Sequence, residues 1–258
     1  MGRSALSKTE WQVNAPPHPA RALGRSATAA SSAKAKQVGS SAKLAQSAKS
    51  HRAPTTPGFV RIIGGQWRRR QLPVALEPAA PAGLRPTADR VRETLFNWLG
   101  QDLSGWRCID LCAGTGALGF EAASRGAAHV TLVEQHPVVV QHLHAMRKQL
   151  DAQTVHIVAG DGLQFLRRQA EQAPGSVDVL FFDPPYTGFS TQAYQEVLHG
   201  AGILLVADGR VYLESGREWT PEELAQLGWE RWRYLKAGAV HAHLLRRLPQ
   251  PTEQGIET

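Results

Sequence analysis

The stretch Val177-Asp178-Val179-Leu180-Phe181-Phe182-Asp183-Pro184-Pro185-Tyr186 gathers the residues best suited to chemistry. A carboxylate (Asp183), two prolines (Pro184 and Pro185) and an aromatic ring (Tyr186) follow an almost wholly apolar run. That run reads as a strand buried on both faces, as in a parallel sheet, and two prolines must end it because neither can donate to a ladder. Open α/β sheets place their ligands at strand carboxyl ends. Asp183 is therefore a candidate acceptor for N–H donors on a substrate. The alternative is a buried strand stopped by Pro-Pro, with Asp183 capping a turn.

Other strand ends favour the chemical reading. Trp106–Leu111 is apolar around Asp110 and runs into Cys112-Ala113-Gly114-Thr115-Gly116-Ala117-Leu118-Gly119, then a helix from Phe120 to Ser124 or beyond. Ala127–Glu134 is a second strand ending in an acid, and Val155–Gly162 a third with Asp161 at its carboxyl end. Gly114, Gly116 and Gly119 satisfy the Gly-x-Gly-x-x-Gly spacing of dinucleotide sites. In that fingerprint, however, the first glycine follows the strand directly and a pyrophosphate sits on the helix N-terminus. Here residues 111–113 intervene, and Asp110 would repel a pyrophosphate while suiting a cation such as an amino acid's amino group. An acid in the position of Glu134 typically accepts ribose hydroxyls.

The elements that must hold these groups follow from periodicity. Helices are expected over 137–150 and 191–198, a fifth strand over Arg210–Ser215, and a short helix capped by Thr220-Pro221-Glu222-Glu223 that closes at Gly228. Residues 229–236 and 240–247 read as a final hairpin around 237–239. Strands alternating with helices and then an antiparallel finish predict an α/β, doubly wound, mostly parallel sheet with one reversed edge. Cys108 and Cys112 stand too close to staple the fold and lack a second ligand pair, so they read as reduced residues. His136, His142 and His144 read as surface residues on a polar helix, and no metal is expected.

Charge divides the chain. Residues 1–58 carry 9 Lys+Arg against Glu10, and residues 59–98 carry 7 Arg against 3 acids, whereas the remainder has 13 basic and 18 acidic residues. A basic front on an acidic body points to a polyanion met by the N-terminal part. Residues 1–58, rich in Ala, Ser, Lys and Arg without apolar period, predict a disordered basic tail; 249–258 forms a C-terminal tail. Phe59–Ile63 and Gln66–Leu72 predict a hairpin about Gly64-Gly65, the core of an extension over 59–85. Its Arg61, Trp67, Arg68, Arg69 and Arg70 are candidate RNA contacts, with phosphates taken by guanidiniums and a base by the indole. Residues 86–248 form the main domain. They open on a helix with Thr87 as N-cap, Gly100 as terminator and a buried stripe of Val91, Leu95, Trp98 and Leu99. Arg85, Arg90 and Arg92 on this stretch face either RNA or solvent. No apolar run approaches the roughly 18 residues of a membrane span.

The acids at consecutive strand ends, the glycine loop and Asp-Pro-Pro-Tyr resemble the class I methyltransferases, a Rossmann-like fold that uses S-adenosylmethionine. The segments Arg61-Ile62-Ile63-Gly64-Gly65-Gln66-Trp67-Arg68, Leu84-Arg85-Pro86-Thr87 and Asp89-Arg90-Val91-Arg92-Glu93-Thr94-Leu95-Phe96-Asn97-Trp98-Leu99 closely resemble the RsmD family, bacterial 16S rRNA guanine-N2 methyltransferases. The likeness spans about residues 59–247. It implies Gly114 and Gly116 at the cofactor's methionine end, Glu134 on its ribose, and Asp161 with Gly162 near its adenine. It further implies 16S rRNA or a small-subunit assembly intermediate as partner, a monomer, and a cytoplasmic setting. Two features depart from the family pattern: the tail 1–58, and Leu111-Cys112-Ala113 in place of an aromatic-containing loop.

By this resemblance Asp183 and the Pro184 carbonyl accept hydrogen bonds from a base's exocyclic amine, and Tyr186 stacks on that base. An ionised carboxylate takes two adjacent donors, matching guanine's edge, whereas adenine's donor–acceptor pair suits an asparagine better. A DNA adenine-N6 methyltransferase and an inactive RNA-binding assembly protein are the competing readings.

Overall fold

The computed structural model describes residues 58–74, 89–185 and 189–249. In chain order these form β1 (Phe59–Arg61), β2 (Gln71–Pro73), α1 (Asp89–Leu99), β3 (Arg107–Asp110), α2 (Ala117–Ser124), β4 (His129–Glu134) and α3 (Pro137–Gln149). There follow β5 (Val155–Ala159), α4 (Gly162–Gln172), β6 (Val177–Phe182), α5 (Thr191–Leu204), β7 (Leu205–Ser215), α6 (Pro221–Gln226), β8 (Trp229–Ala237) and β9 (Val240–Arg247). The expected tails 1–58 and 249–258 lie outside the described residues apart from Gly58 and Pro249, as do Arg85, Thr87 and Tyr186.

The main sheet has the order β5-β4-β3-β6-β7-β9-β8. Its pairs from β5 to β7 are parallel, while β9 runs antiparallel to both β7 and β8. The reversed strand is thus the last in the chain, as the sequence suggests, but it lies one place in from the edge and β8 forms the rim. A tight β8–β9 turn with Gly238 at φ 63° lets β9 fold back between β7 and β8. Chain order reverses between β3 and β6, the switch point at which doubly wound sheets bind ligands.

Two apolar layers sandwich the sheet. Residues of α1, α2 and α3 pack with β1 and β2 on one face, and residues of α4, α5 and α6 pack on the other. The central strands β3, β4 and β6 are buried on both sides; in β6 only Asp178 is not fully buried, and its carboxylate accepts from the Arg107 N–H at 2.8 Å.

Three elements differ from expectation. Helix α4 is not apparent from the sequence because Asp161-Gly162 reads as a strand end, whereas Asp161 caps a helix, accepting from Gln164 N at 2.8 Å. Helix α5 continues to Leu204, past Gly200 and Gly202. A Cβ at Gly200 would lie 2.9 Å from Leu166 of α4, so this glycine permits close helix contact and does not break the helix. The N-terminal pair β1–β2 has the register Val60↔Leu72 and is continued by Ile62, whose N–H donates to the Arg70 carbonyl at 2.9 Å and whose carbonyl accepts from Arg69 N at 2.8 Å; residues 63–68 then loop out instead of turning at Gly64-Gly65. The loop leaves the hairpin because α2 supplies stronger partners: Ile63 and Gly64 N–H donate to the Glu121 carboxylate at 2.7 and 2.8 Å. Gly65, at φ 74°, presses against the Ser124 carbonyl, where a Cβ would stand 1.8 Å from the oxygen.

Candidate active site

The carboxyl ends of β3, β4 and β6 bring Asp110, Glu134 and Asp183 to one edge of the sheet. Strand alternation puts them on one face, since Cys108, Leu132 and Phe181, each two residues earlier, all lie in the layer with α1 to α3. Asp110 is buried and accepts from Gly119 N at 3.2 Å through Oδ2. Its Oδ1 is also buried and has no hydrogen-bond partner among the described residues. Desolvation, aided by the charges of Asp183 and Glu134, pushes its carboxyl up to about 8. A buried acid with a spare oxygen among other acids calls for a cationic partner.

The glycine loop is held by the next acid. Glu134 accepts from Gly114 N at 2.9 Å through Oε2 and from His136 N at 2.8 Å through Oε1. Gly116 ends the loop at φ 76°, and a Cβ there would meet the Phe120 ring at 2.6 Å. Helix α2 starts immediately after, at Ala117, three residues earlier than the sequence indicates. Asp161 is exposed at the end of β5, and Gly162 lies so close to β3 that a Cβ would sit 2.5 Å from the Leu111 carbonyl. Asp110, Gly114, Gly116, Glu134, Asp161 and Gly162 thus all lie at or just after the carboxyl ends of β3, β4 and β5, beside the switch point.

Asp183 is half-buried, Pro184 buried and Pro185 exposed directly after β6. Their neighbour on β7 is a residue that sequence reading passes over. Glu214 is buried one residue beyond the Phe182↔Leu213 pair, with the Tyr212 hydroxyl bonded to its Oε1. Tyr194, in an edge-to-face contact with Phe182, reaches the Glu214 carbonyl at 3.3 Å. The available signal is an acid directly after the apolar run Val211-Tyr212-Leu213.

The proposed RNA contacts sit differently from one another. Arg61, Arg68, Arg69, Arg70 and Arg90 are exposed; Arg61 donates to Asp89 at 3.2 Å. Arg69 keeps φ 70°, a left-handed backbone that is uncommon for any residue with a side chain. Trp67 is half-buried, packing on the core while its backbone N–H donates to Ser124 Oγ at 2.9 Å. Arg92 faces neither RNA nor solvent. It is fully buried, donates to the Arg61 carbonyl at 2.8 Å and to Asp89 at 2.6 Å, and lies 3.7 Å from Glu121. Of the α3 histidines, His142 is likewise engaged, bonding the Pro73 carbonyl at 2.8 Å.

Among the described residues no group of three or more His, Cys, Asp or Glu is arranged to hold a metal. No helix among them is long and apolar enough to cross a membrane. A cleft of about 790 Å³ opens at the opposite end of the sheet, where β7 begins and β9 ends, away from these acids.

The sheet order, the glycine loop and the acids at successive strand ends define a class I methyltransferase fold. Residues 60–246 match the family described as Conserved hypothetical protein 95. Ribosomal RNA small subunit methyltransferase D of Escherichia coli (strain K12) is 39% identical over 193 residues, covering 75% of this chain and 92% of that protein. The protein of the same name from Haemophilus influenzae is 41% identical over 140 residues, covering 54% of this chain and 69% of its own. Among solved structures, the putative methyltransferase yhhF of Escherichia coli superposes with a TM-score of 0.61 at 38% identity, covering 75% of this chain and all of that one. The chain belongs to the RsmD family of methyltransferases.

Proposed function

We propose that this chain transfers a methyl group from S-adenosylmethionine to the exocyclic N2 amine of a guanine in small-subunit (16S) rRNA. The observation that carries this reading is the buried Oδ1 of Asp110, without a partner among the described residues, beside Glu134 and Asp183. A cationic amino group fits that oxygen; the cofactor's methionine end carries one. The rRNA substrate is supported by the names of relatives at 39% and 41% identity.

When bound, the cofactor supplies a methyl already activated by its sulfonium. The chain's own task is then chiefly positioning. Asp110 holds the amino group, and the loop of Gly114 and Gly116 brings its backbone to the ligand's methionine end, with Gly116 at φ 76° turning the chain into α2 against Phe120. Glu134 already fixes the loop through Gly114 N; its remaining lone pairs accept from ribose hydroxyls. Asp161 and Gly162 border the adenine. Asp183 and the Pro184 carbonyl accept from the guanine amine, localising a lone pair otherwise spread into the ring and stabilising the charge that develops on nitrogen. Pro185 stiffens this turn, and Tyr186 stacks on a base drawn out of its helix or loop. Arg61, Arg68, Arg69, Arg70, Arg85 and Arg90 neutralise phosphates around that base, with Trp67 offering a ring edge.

Incubating the protein with S-adenosylmethionine and unmodified small-subunit rRNA, then digesting to nucleosides for mass spectrometry, tests the reading. N2-methylguanosine is expected. N6-methyladenosine in a DNA control, or no methylated nucleoside in any RNA, would contradict it.

A further inference from the structure

We infer that a groove between loop 63–68 and α1 binds a second, unpaired nucleotide of the RNA, with Glu93 and Asn97 on its base edge and Arg68 on its phosphate; this rests on the RNA reading above. Arg90, Glu93 and Asn97 recur at i, i+3 and i+7 on the exposed side of α1, with Gln101 one turn further on. Loop 63–68 faces the last three of these across a cleft of about 520 Å³, which Arg68 and Arg125 also line. That volume lies within the range of about 300–1,000 Å³ usual for small-ligand sites.

The cleft is separate from the acids at the strand ends. Arg125 caps the far end of α2, about 13 Å from the glycine loop at roughly 1.5 Å of rise per residue. A base held here is therefore not the one at Asp183.

Its walls match a nucleotide better than a bare phosphate. Arg125 is fixed, donating to Glu121 at 2.8 Å and to the Gln101 carbonyl at 3.3 Å while stacked 4.8 Å over Phe96. Arg68 is exposed and able to swing onto a phosphate. A site for phosphate alone would gain nothing from the carboxylate of Glu93, which forms no ion pair with another described residue. Glu93 is acceptor-only, so it fits the amino or imino hydrogens of a base, and the Asn97 amide supplies one donor and one acceptor beside it. The ligand class is a nucleotide with an amino-bearing base.

Glu93→Gln and Asn97→Ala in the full chain test this, with transcripts of a small-subunit rRNA segment spanning the modified guanine. Both side chains are exposed on a helix, so folding should be retained, and a melting curve checks it. The expected result is a KM for RNA raised about 5- to 100-fold, as for removal of one base-edge hydrogen-bonding pair. kcat, cofactor affinity and the salt dependence of RNA binding should hold. Wild type should also discriminate among transcripts differing at one flanking nucleotide, and Glu93→Gln should lose that discrimination. An unchanged KM in both variants, with weaker binding on replacing Arg68, Arg69 and Arg70, would overturn the groove assignment while leaving the RNA reading standing. A raised KM with a flatter salt slope and intact discrimination would reduce the groove to a phosphate site and overturn base recognition. Failure of wild type to methylate any transcript would instead sink the RNA reading itself.

Discussion

Arg92 of α1 and Glu121 of α2 are both fully buried and lie 3.7 Å apart. Glu121 also accepts from Ile63 N, Gly64 N and Arg125 Nε at 2.7, 2.8 and 2.8 Å. One carboxylate thus joins the arginine-bearing loop, the first helix and the helix that begins at the glycine loop. Breaking a buried pair by removing one partner typically costs about 3–5 kcal/mol, because a charge is left behind without compensation. Glu121→Ala should lower the urea midpoint accordingly and raise RNA KM by freeing loop 63–70, while turnover per folded molecule changes little. A stability loss below about 1 kcal/mol would show that the carboxylate is not the junction.

Replacing Arg68, Arg69 and Arg70 with Ala should weaken RNA binding and flatten its log–log salt dependence, by roughly 0.7–0.9 for each phosphate no longer neutralised. Arg69 predicts a second effect. Its φ of 70° is strained for any non-glycine residue, so Arg69→Gly should stabilise the fold slightly while weakening RNA binding. Titrations at several salt concentrations beside a melting curve separate the two. Unchanged salt slopes would make these arginines structural.

Asp110 gives the chain a pH dependence of definite sign. Its carboxyl lies at about 8, raised first by desolvation and then by the charges of Asp183 and Glu134, against an ordinary 3.8. The folded state therefore binds more protons than the unfolded one between these values, and the stability present below pH 4 is lost as pH rises toward 8. Asp110→Asn removes that loss, so its melting temperature minus that of wild type should grow from pH 5 to pH 8. Binding of a cationic ligand at pH 7 should release a proton from Asp110, visible by calorimetry in buffers of different ionisation enthalpy. The variant should bind S-adenosylmethionine far more weakly and without that release.

Gly116→Ala tests the cofactor loop apart from the acids. The backbone at φ 76° disfavours a side chain by about 1–2 kcal/mol, and the new Cβ would stand 2.6 Å from the Phe120 ring and 2.9 Å from Leu143. Cofactor affinity should fall with RNA affinity retained. Equal loss of both would mean that the whole fold had shifted.

Much of this architecture is legible in the sequence because parallel strands buried on both faces are nearly continuous apolar runs. β3, β4 and β6 announce themselves so, and their terminal acids stand out against them. The capping box at Thr220 and Glu223 was readable for the same local reason and is formed as expected, Thr220 N bonding Glu223 at 2.8 Å and Glu223 N bonding Thr220 at 3.2 Å. What the sequence hides is partnership at long range. Arg92 sits among exposed arginines in the sequence, and only the approach of α2 buries it. Glu121 lies in an eight-residue helix whose every residue is buried, a placement that nothing local reveals. Gly200 looks like a helix stop until Leu166 of α4 is set against it. Residues 63–68 do not close as a tight turn because the Ile63 and Gly64 N–H groups find their partner on α2, about 57–58 residues on in sequence.

The single-turnover rate of methyl transfer to small-subunit rRNA by Asp183→Asn, with cofactor bound, tests the central claim most directly. The amide keeps the shape and one acceptor but meets guanine's N–H with a donor of its own. The rate should fall on the order of 10²–10³-fold, comparable to removal of one preorganised electrostatic group. Melting temperature and S-adenosylmethionine affinity should stay near wild type, because that ligand is assigned to Asp110, Glu134 and Asp161. A normal single-turnover rate in this variant would mean that Asp183 only caps the turn after β6, and would contradict the account of amine activation at this site.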